Sequence, residues 1–293
     1  MKHRAVRIIG VASGIGAQDE GCGKGPWAIK HSHQMQRLNK DTEWSDLIYP
    51  RSGLDKWARL ADLAHRVGEE VARTLTAGDF PVVMGGDHSC ALGTWSGVAR
   101  ALEGQGELGL MWIDAHMDSH VPDTSSSHAV HGMPLAALLG LGQHNLISLT
   151  GKSPVLRPEH ICLMGVRSYE QEEADLLDRL GVRVIRQQEI QERGIPDALA
   201  EAKAKVTIGT AGFGISLDLD AIDPHEAPGV GSPEPAGMGA RDLFHALGPV
   251  LVHPRLMALE IAEYNPEHDR NQITLQLIVD LLERLVKGRP AHD

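Results

Sequence analysis

The sequence predicts an α/β fold in which helices cover both faces of a mostly parallel sheet. Short apolar runs typical of buried strands alternate with amphipathic helical patterns along the 293 residues, and this alternation favours parallel strands joined by helices. Hydrophobic residues make up 42% of the chain and aromatic residues only 4%. Aliphatic side chains must therefore fill the core, which is typical of strands buried on both faces.

Seven segments have the length and apolar character of buried strands. In chain order they are 5–13, 80–84, 108–113, 161–166, 182–186, 214–219 and 256–262. An eighth strand is expected at one of two weaker apolar patches, 47–49 or 146–149. Helical periodicity predicts helices at 27–38, 57–75, 91–102, 134–141, 170–180, 196–205, 241–251 and 273–286. No linker, low-complexity segment or internal repeat divides the chain, so we predict a single domain spanning residues 1–293.

The glycine-rich segment 14–26 lacks the GxGxxG spacing of a dinucleotide-binding turn and contains Pro26. It is expected to be a flexible loop before the first helix. Cys22, Cys90 and Cys162 are odd in number and widely spaced. This pattern indicates reduced thiols with structural roles rather than disulfides.

Composition excludes several classes of partner. The chain has 28 basic and 39 acidic residues and a net charge of -11, without the basic cluster that nucleic acid requires. No apolar stretch approaches the roughly 20 residues of a membrane span. The polar N-terminus has too short an apolar run for a signal peptide, so we predict a cytoplasmic protein that binds neither nucleic acid nor membranes.

Carboxylate and imidazole side chains follow three of the predicted strands. Because the carboxyl ends of parallel strands meet at one edge of the sheet, and alternate residues of an extended chain point to one side, these side chains should converge. Singly, each has an ordinary interpretation as a turn histidine or a solvated acid. Together they predict a metal site. The six candidate ligands are His88, Asp114, His116, Asp118, Asp218 and Asp220.

Six protein ligands exceed the need of one tetrahedral ion and suit a pair of ions. Two divalent cations would balance the charge of the four carboxylates. Oxygen-rich ligand sets with a minority of imidazole favour Mn²⁺, with Co²⁺ and Fe²⁺ as alternatives.

Five sequence segments resemble those of the arginase family of ureohydrolases. They are GGDHS (85–89), DAHMDSH (114–120), HGMPLA (131–136), SLDLDAIDPHEAPGVGSP (216–233) and GCGKGPWAIK (21–30). The resemblance implies a three-layer α/β/α fold with an eight-stranded sheet, two Mn²⁺ ions, hydrolysis of a guanidino substrate to urea and an amine, and a homotrimer or homohexamer. It also implies that His88, Asp114, Asp118 and Asp218 bind one ion, and that Asp114, His116, Asp218 and Asp220 bind the other.

The same resemblance suggests three catalytic residues. Asp118 would orient the nucleophile, His131 would carry a proton to the leaving amine, and Glu263 would bind the guanidinium. Without the resemblance, His131 would be interpreted as a surface-loop histidine and Glu263 as a solvated residue at a strand end.

The match weakens around the non-reacting end of the substrate. The family usually has Asn at the position of His120 and Gly-Asn at the positions of His128 and Ala129, so two amide donors are missing. The resemblance places Ser127, Glu170, Glu173 and Ser232 at this end, together with His120. The acids and Ser127 favour L-arginine, hydrolysed to L-ornithine and urea. Agmatine or another guanidino acid, and a non-catalytic metal-binding role, are the alternatives.

Overall fold

The computed structural model of the chain describes residues 5–38, 40–151 and 153–289. Eight strands form one sheet: β1 (Val6–Gly10), β2 (Thr42–Trp44), β3 (Phe80–Met84), β4 (Glu107–Ile113), β5 (Ile161–Val166), β6 (Arg183–Arg186), β7 (Thr210–Asp218) and β8 (Leu256–Ala262). Their order across the sheet is β2-β1-β3-β8-β7-β4-β5-β6, and every neighbouring pair is parallel.

Helices lie on both faces of the sheet. They are α1 (Gly25–Lys30), α2 (Lys56–Thr76), α3 (Ala91–Ala101), α4 (Pro134–Leu138), α5 (His144–Ile147), α6 (Gln171–Leu180), α7 (Gln187–Arg193), α8 (Ile195–Thr207), α9 (Ala240–Leu251) and α10 (Ile273–Gly288). One core contains side chains from α1 and α7 to α10, and the other contains side chains from α2 to α6. The predicted three-layer α/β/α fold with an eight-stranded sheet is confirmed.

Strand β4 illustrates why the sheet has a core on each face. Its side chains alternate, with Met111 and Ile113 in one core and Leu110 and Trp112 in the other. All four are fully buried. A strand covered on both faces needs apolar residues at consecutive positions, which is why its sequence reads as a continuous apolar run.

The eighth strand is not at either predicted position. It is the short edge strand β2, whose residues pair with β1. Of the two predicted patches, 47–49 contributes only the isolated bridge between Ile48 and Val11, and 146–149 is helical. A strand of three residues at a sheet edge, with Trp44 as its one apolar side chain, has no apolar run that sequence reasoning could detect.

Two helix predictions also differ from the structure. The helix predicted at 27–38 is split: α1 ends at Lys30, and a separate 3₁₀ turn covers Gln34–Leu38. The Ser32 hydroxyl, which donates to the Ile29 carbonyl and accepts from the Met35 N–H, replaces the helical hydrogen bonds at the break. The polar helix α7 was not predicted.

Close contact between β4 and α8 requires a glycine in the strand. A Cβ atom on Gly109 would lie 1.9 Å from the backbone oxygen of Val206 in α8. We expect Gly109→Ala to lower the free energy of unfolding by about 2 kcal/mol, because helix and sheet must separate to relieve the overlap.

Urea unfolding measures this effect. Gly248→Ala in α9 is the matched control, because its Cβ would have no neighbour within 4 Å. Equal midpoints for the two variants would contradict the prediction.

Candidate functional site

The candidate site lies where four neighbouring strands end. β3, β8, β7 and β4 are consecutive in the sheet, and the carboxyl ends of parallel strands open on the same edge. His88 follows β3, Asp114 follows β4, Asp218 ends β7, and Glu263 follows β8. The sheet order therefore brings together His88 and Glu263, which are 175 positions apart in the sequence.

A glycine-dependent turn positions His88. A Cβ atom on Gly86 would lie 1.8 Å from the Ser13 carbonyl oxygen, so only glycine fits. Asp87 then stabilises the turn, because its two carboxylate oxygens accept hydrogen bonds from the backbone N–H groups of Ser89 and Gly16. The Gly16 contact also fixes part of the glycine-rich segment 14–26, which was expected to be a flexible loop. Residues 14–16, 21, 22, 25 and 26 of this segment are buried.

His88 is the centre of the first ligand group. Its Nδ1 atom lies 3.2 Å from Asp114 Oδ2 and 3.1 Å from Oδ2 of both Asp118 and Asp218. This nitrogen is buried and has no partner in regular hydrogen-bond geometry among the described atoms. The ring stacks on Trp112, with centroids 4.3 Å apart. A buried imidazole nitrogen that faces three carboxylate oxygens fits a divalent cation.

His116 is the centre of the second group. Its Nδ1 atom lies 3.0 Å from Asp220 Oδ2 and 3.5 Å from Asp114 Oδ1. Asp114 thus belongs to both groups, through a different oxygen in each. Ligand atoms of His88, Asp114 and Asp218, and separately of Asp114, His116 and Asp220, lie within 4.8 Å of one another and could each hold an ion.

The backbone places these ligands differently from the extended geometry that the sequence suggested. Asp118 has a φ of 48°, in the left-handed region, so the segment after β4 bends instead of continuing as a strand. Asp220 lies in the 3₁₀ turn Leu219–Ala221, and its N–H donates to Asp218 Oδ1. The carboxylates converge because tight turns redirect them, and not because alternate residues share one side of a strand.

Burial and mutual repulsion perturb the titration of these groups. Burial raises the pKa of Asp118, Asp218 and Asp220, that of Asp220 to about 6. Burial alone would lower the pKa of His88 and His116, but their aspartate partners outweigh it and raise both well above the usual value. Such a cluster needs either bound protons or bound cations for charge balance. The donor set and the position of His88 Nδ1 therefore fit a pair of metal ions.

Glu263 and His131 lie beside the two ligand groups. Glu263 Oε1 accepts a hydrogen bond of 2.8 Å from the His88 N–H and lies 3.0 Å from His131 Nδ1. Burial alone would lower the pKa of His131, but the hydrogen bond to Glu263 and its charge outweigh burial and raise the pKa to about 9. Burial alone would raise the pKa of Glu263, but His131 outweighs it and lowers that pKa. His131 is therefore protonated at neutral pH and paired with an ionised carboxylate.

The residues predicted for the far end of the substrate form a separate group. His120 Nε2 lies 2.9 Å from Glu170 Oε2 and 3.4 Å from Glu173 Oε2, and its Nδ1 lies 3.0 Å from the Thr124 hydroxyl. Burial raises the pKa of Glu173 to about 7. Glu173 also accepts the N–H groups of Ser119 and Glu170. It therefore fixes the start of α6 as well as facing His120.

The remaining residues considered for this end of the substrate are Ser127, Ser232 and His128. Ser127 and His128 are exposed, and the Ser127 hydroxyl accepts the N–H of Ala129 within the same loop. Ser232 follows Gly231, whose N–H donates to the Glu263 carbonyl oxygen at 3.2 Å. The residue that precedes Ser232 therefore contacts the Glu263 backbone, whereas Ser127 bonds within its own loop.

Sequence reasoning missed the partners on the outer side of the two histidines. His88 Nε2 lies 2.9 Å from the Ser216 hydroxyl, which donates to Glu260 Oε1 at 2.7 Å. His116 Nε2 lies 3.7 Å from Glu234 Oε1, which accepts from the Ser168 hydroxyl at 3.0 Å. Glu260 could have been recognised from the sequence, because it is a lone acid inside an apolar strand. Glu234 lies in a polar loop, where an additional acid carries no signal.

Two further contacts were also missed. Arg167 Nη2 donates to the backbone oxygens of Asp220 at 2.6 Å and Glu234 at 2.8 Å, so it ties the Glu234 loop to a candidate ligand. Cys22, expected to be structural, donates its S–H to Glu263 Oε2. Each contact joins segments that are far apart in the sequence.

Of the helices in the described part of the chain, none combines the length and the hydropathy that a bilayer-spanning segment requires.

Comparison with known proteins agrees with this arrangement. The sequence model of the Arginase family matches residues 4–287. The arginase of Brevibacillus brevis is 35% identical over 96% of this chain and 97% of its own. The crystal structure of Bacillus subtilis arginase superposes with a TM-score of 0.88 at 31% identity, covering 97% of this chain and 98% of that one.

A more distant structure has the same fold. Entamoeba histolytica arginase in complex with L-ornithine is 25% identical, with a TM-score of 0.87 and coverage of 98% of this chain and 99% of that one. The family match over nearly the whole sequence, the relative above 30% identity and the paired ligand groups lead to one conclusion: the chain is a metal-dependent hydrolase that belongs to the arginase family.

Proposed function

We propose that the chain hydrolyses L-arginine to L-ornithine and urea with two Mn²⁺ ions. The observation that carries this proposal is the pair of ligand groups sharing Asp114, with Glu263 and His131 directly beside them. The similarity to arginases, one of them solved with L-ornithine, supports the choice of substrate. The oxygen-rich ligand set supports Mn²⁺, with Co²⁺ and Fe²⁺ as alternatives.

The proposed ligand sets extend the two observed groups, by Asp118 in the first and by Asp218 in the second. His88, Asp114, Asp118 and Asp218 would bind one ion, and Asp114, His116, Asp218 and Asp220 would bind the other. The distances of His88 Nδ1 to Asp118 and Asp218, 3.1 Å each, support the first set. When bound, the ions would supply the chemistry that activates water at neutral pH.

The chain's own residues would bind the guanidinium and move its protons. The Glu263 carboxylate would accept a hydrogen bond from a guanidinium N–H group, and its negative charge would favour a cationic substrate. Asp118, the most exposed of the four aspartates at 8%, would accept a hydrogen bond from the attacking water and so orient it. His131, protonated at neutral pH because its pKa is about 9, would donate a proton to the leaving amine.

The part of the site around His120 would bind the amino acid end of arginine. We propose that Glu170 and Glu173 face the α-amino group, with Ser127 and Ser232 nearby. The position of His120 favours a second candidate, a substrate without an α-carboxylate such as agmatine. Both of its ring nitrogens already face protein partners, Glu170 and Thr124, so it replaces the missing amide donors poorly. Another guanidino acid is the third candidate.

We also propose that residues 1–293 act as one domain, assembled as a trimer or hexamer. The family resemblance supports this assembly, and light scattering on the purified protein measures it. The cytoplasmic location stays a prediction of the sequence.

Urea release after reconstitution with Mn²⁺ tests the substrate. We expect L-arginine to give a kcat/KM at least about tenfold above that of 4-guanidinobutyrate, because 4-guanidinobutyrate lacks the amino group that Glu170 and Glu173 would bind, and such a contact contributes about 1.4 kcal/mol or more. Agmatine keeps this amine and lacks the α-carboxylate, so a similar preference for L-arginine over agmatine would report a carboxylate contact, for which Ser127 is the proposed donor. A preference for agmatine would favour the second candidate. Urea release from none of the three would contradict the proposal.

Replacement of Glu263 separates substrate binding from metal binding. We expect Glu263→Gln to lower kcat/KM by at least about 100-fold, because the guanidinium loses its anionic partner. The variant should still bind two Mn²⁺ per chain, since Glu263 is not among the proposed ligands. Metal analysis and urea release measure the two effects.

The matched control is Glu267→Gln. Glu267 lies four residues further on and forms an exposed ion pair with Lys24 at 2.7 Å. Its replacement should leave kcat/KM unchanged. Near-normal turnover of Glu263→Gln would refute the proposed role of Glu263.

Protons should compete with Mn²⁺ for the cluster. The pKa values of His88 and His116 and of Asp118, Asp218 and Asp220 are raised without bound cations, that of Asp220 to about 6. Groups with raised pKa values hold protons that metal must displace, so affinity should rise with pH. We expect about a tenfold gain per pH unit between pH 6 and 8, corresponding to one proton released per ion. Equilibrium dialysis with Mn²⁺ at pH 6, 7 and 8 measures this gain, and a pH-independent affinity would contradict it.

A further inference from the structure

Cys22 contacts the carboxylate that we propose to bind the guanidinium. Its Sγ atom lies 3.1 Å from Glu263 Oε2 and 3.4 Å from the Glu263 carbonyl oxygen. Cys22 is fully buried and Glu263 is 2% exposed. The thiol therefore meets the carboxylate away from solvent, where a hydrogen bond has more effect than at the surface.

The turn that carries Cys22 runs from Gly21 to Gly25 and packs against the residues that follow β8. A Cβ atom on Gly21 would lie 2.4 Å from Asn265 Nδ2, and one on Gly25 would lie 2.4 Å from the Tyr264 carbonyl oxygen. Asp19 accepts the Gly21 N–H through one oxygen and the Asn265 side-chain amide through the other. The Sγ position is therefore set by packing at both ends of the turn.

Glu263 needs such support because its backbone is strained. Its φ of 65° lies in the left-handed region, which is unfavourable for a non-glycine residue. Its N–H donates to the Gly86 carbonyl oxygen at 2.8 Å. A Cβ atom on Gly231 would lie 2.5 Å from Glu263 Oε2 and 2.9 Å from Cys22 Sγ, so a glycine at 231 is required for the thiol and the carboxylate to meet.

The acceptor positions of Glu263 are nearly all occupied. A carboxylate offers about four lone-pair positions, two on each oxygen. Oε1 receives the His88 N–H and faces His131 Nδ1, and Oε2 receives the Cys22 S–H. One position on Oε2 remains, and the direction of the S–H bond determines where that position points.

The thiol is a neutral donor here. Burial, followed by the charge of Glu263, raises the pKa of Cys22 well above its usual value. It therefore keeps its proton and leaves the negative charge on the carboxylate.

We propose that Cys22 is a positioning residue, which donates its S–H to Glu263 Oε2 and thereby aims the remaining lone pair of that oxygen at the substrate guanidinium. This inference rests on the proposed function of Glu263. It explains why a cysteine occurs inside the glycine-rich segment, and it assigns that segment a part in substrate binding.

Steady-state kinetics of Cys22 variants with L-arginine test the role. Cys22→Val fills the volume without a donor, and we expect it to raise KM by about three- to tenfold, the effect of one lost hydrogen bond. The change in kcat should stay within about twofold, because the guanidinium contact exists in both the ground and the transition state. Cys22→Ser retains a donor and should bring KM back to within about threefold of the wild-type value.

Cys162→Val is the matched control. Cys162 is also fully buried, on β5, and its S–H donates to the Leu163 carbonyl oxygen at 3.7 Å rather than to a carboxylate. If Cys22 had only a structural role, the valine and serine variants would both have lower melting temperatures, and the serine variant would not restore KM. That result, or an unchanged KM in Cys22→Val, would overturn the proposal.

Infrared spectroscopy tests the contact without any turnover. The S–H stretching band of Cys22 is the one that disappears in Cys22→Val. In the wild-type protein this band should lie below the free-thiol frequency. In Glu263→Gln it should shift towards the free-thiol frequency. A free-thiol frequency in the wild type would overturn the contact, whatever the kinetics. If the wild type released no urea from any guanidino compound but showed the lowered band, the proposed function would fail while the Cys22–Glu263 hydrogen bond stood.

Discussion

The structure depends on one electrostatic constraint, the burial of four aspartates at the edge of an apolar sheet. Asp114, Asp218 and Asp220 are at most 2% exposed. Buried like charges repel one another and lose their hydration, so each requires donors, protons or cations. Backbone N–H groups supply part of this, as where Ala115 donates to Asp220 and Asp220 to Asp218. The remaining oxygens converge on the histidines, where a pair of divalent ions would balance them.

The outer contacts of the two histidines fix the rings independently of those ions. His88 is held by its stack on Trp112 and by Ser216, which is itself hydrogen-bonded to the buried Glu260. His116 faces Glu234, whose loop Arg167 attaches to the backbone of Asp220. Partners of this kind orient a ligand and set its affinity. The Glu260 side chain is fully buried whereas that of Glu234 is 32% exposed, so water competes for the partner of His116 and not for that of His88.

The candidate ligands could be predicted from the sequence because their signal is local. Asp114 and Asp218 terminate apolar runs, and a parallel sheet brings such ends to one edge. The contacts that orient them could not be predicted in this way. Cys22 and Glu263 are 241 positions apart, and only the packing of the glycine-rich segment brings them together. The position of β2 was not predicted for a different reason, since three residues at an edge are too few to form a periodic pattern.

The choice of donor beside Glu263 follows from charge. A lysine near Oε2 would neutralise the carboxylate that a cationic substrate requires, and an acid would drive one of the two to protonate. A buried thiol avoids both effects, because its raised pKa keeps it uncharged while its proton still fixes the carboxylate. His131, whose pKa of about 9 gives it a charge at neutral pH, already pairs with Oε1. A second cation on Oε2 would weaken the field that we propose to attract the guanidinium, so a neutral donor is compatible with the proposed substrate binding.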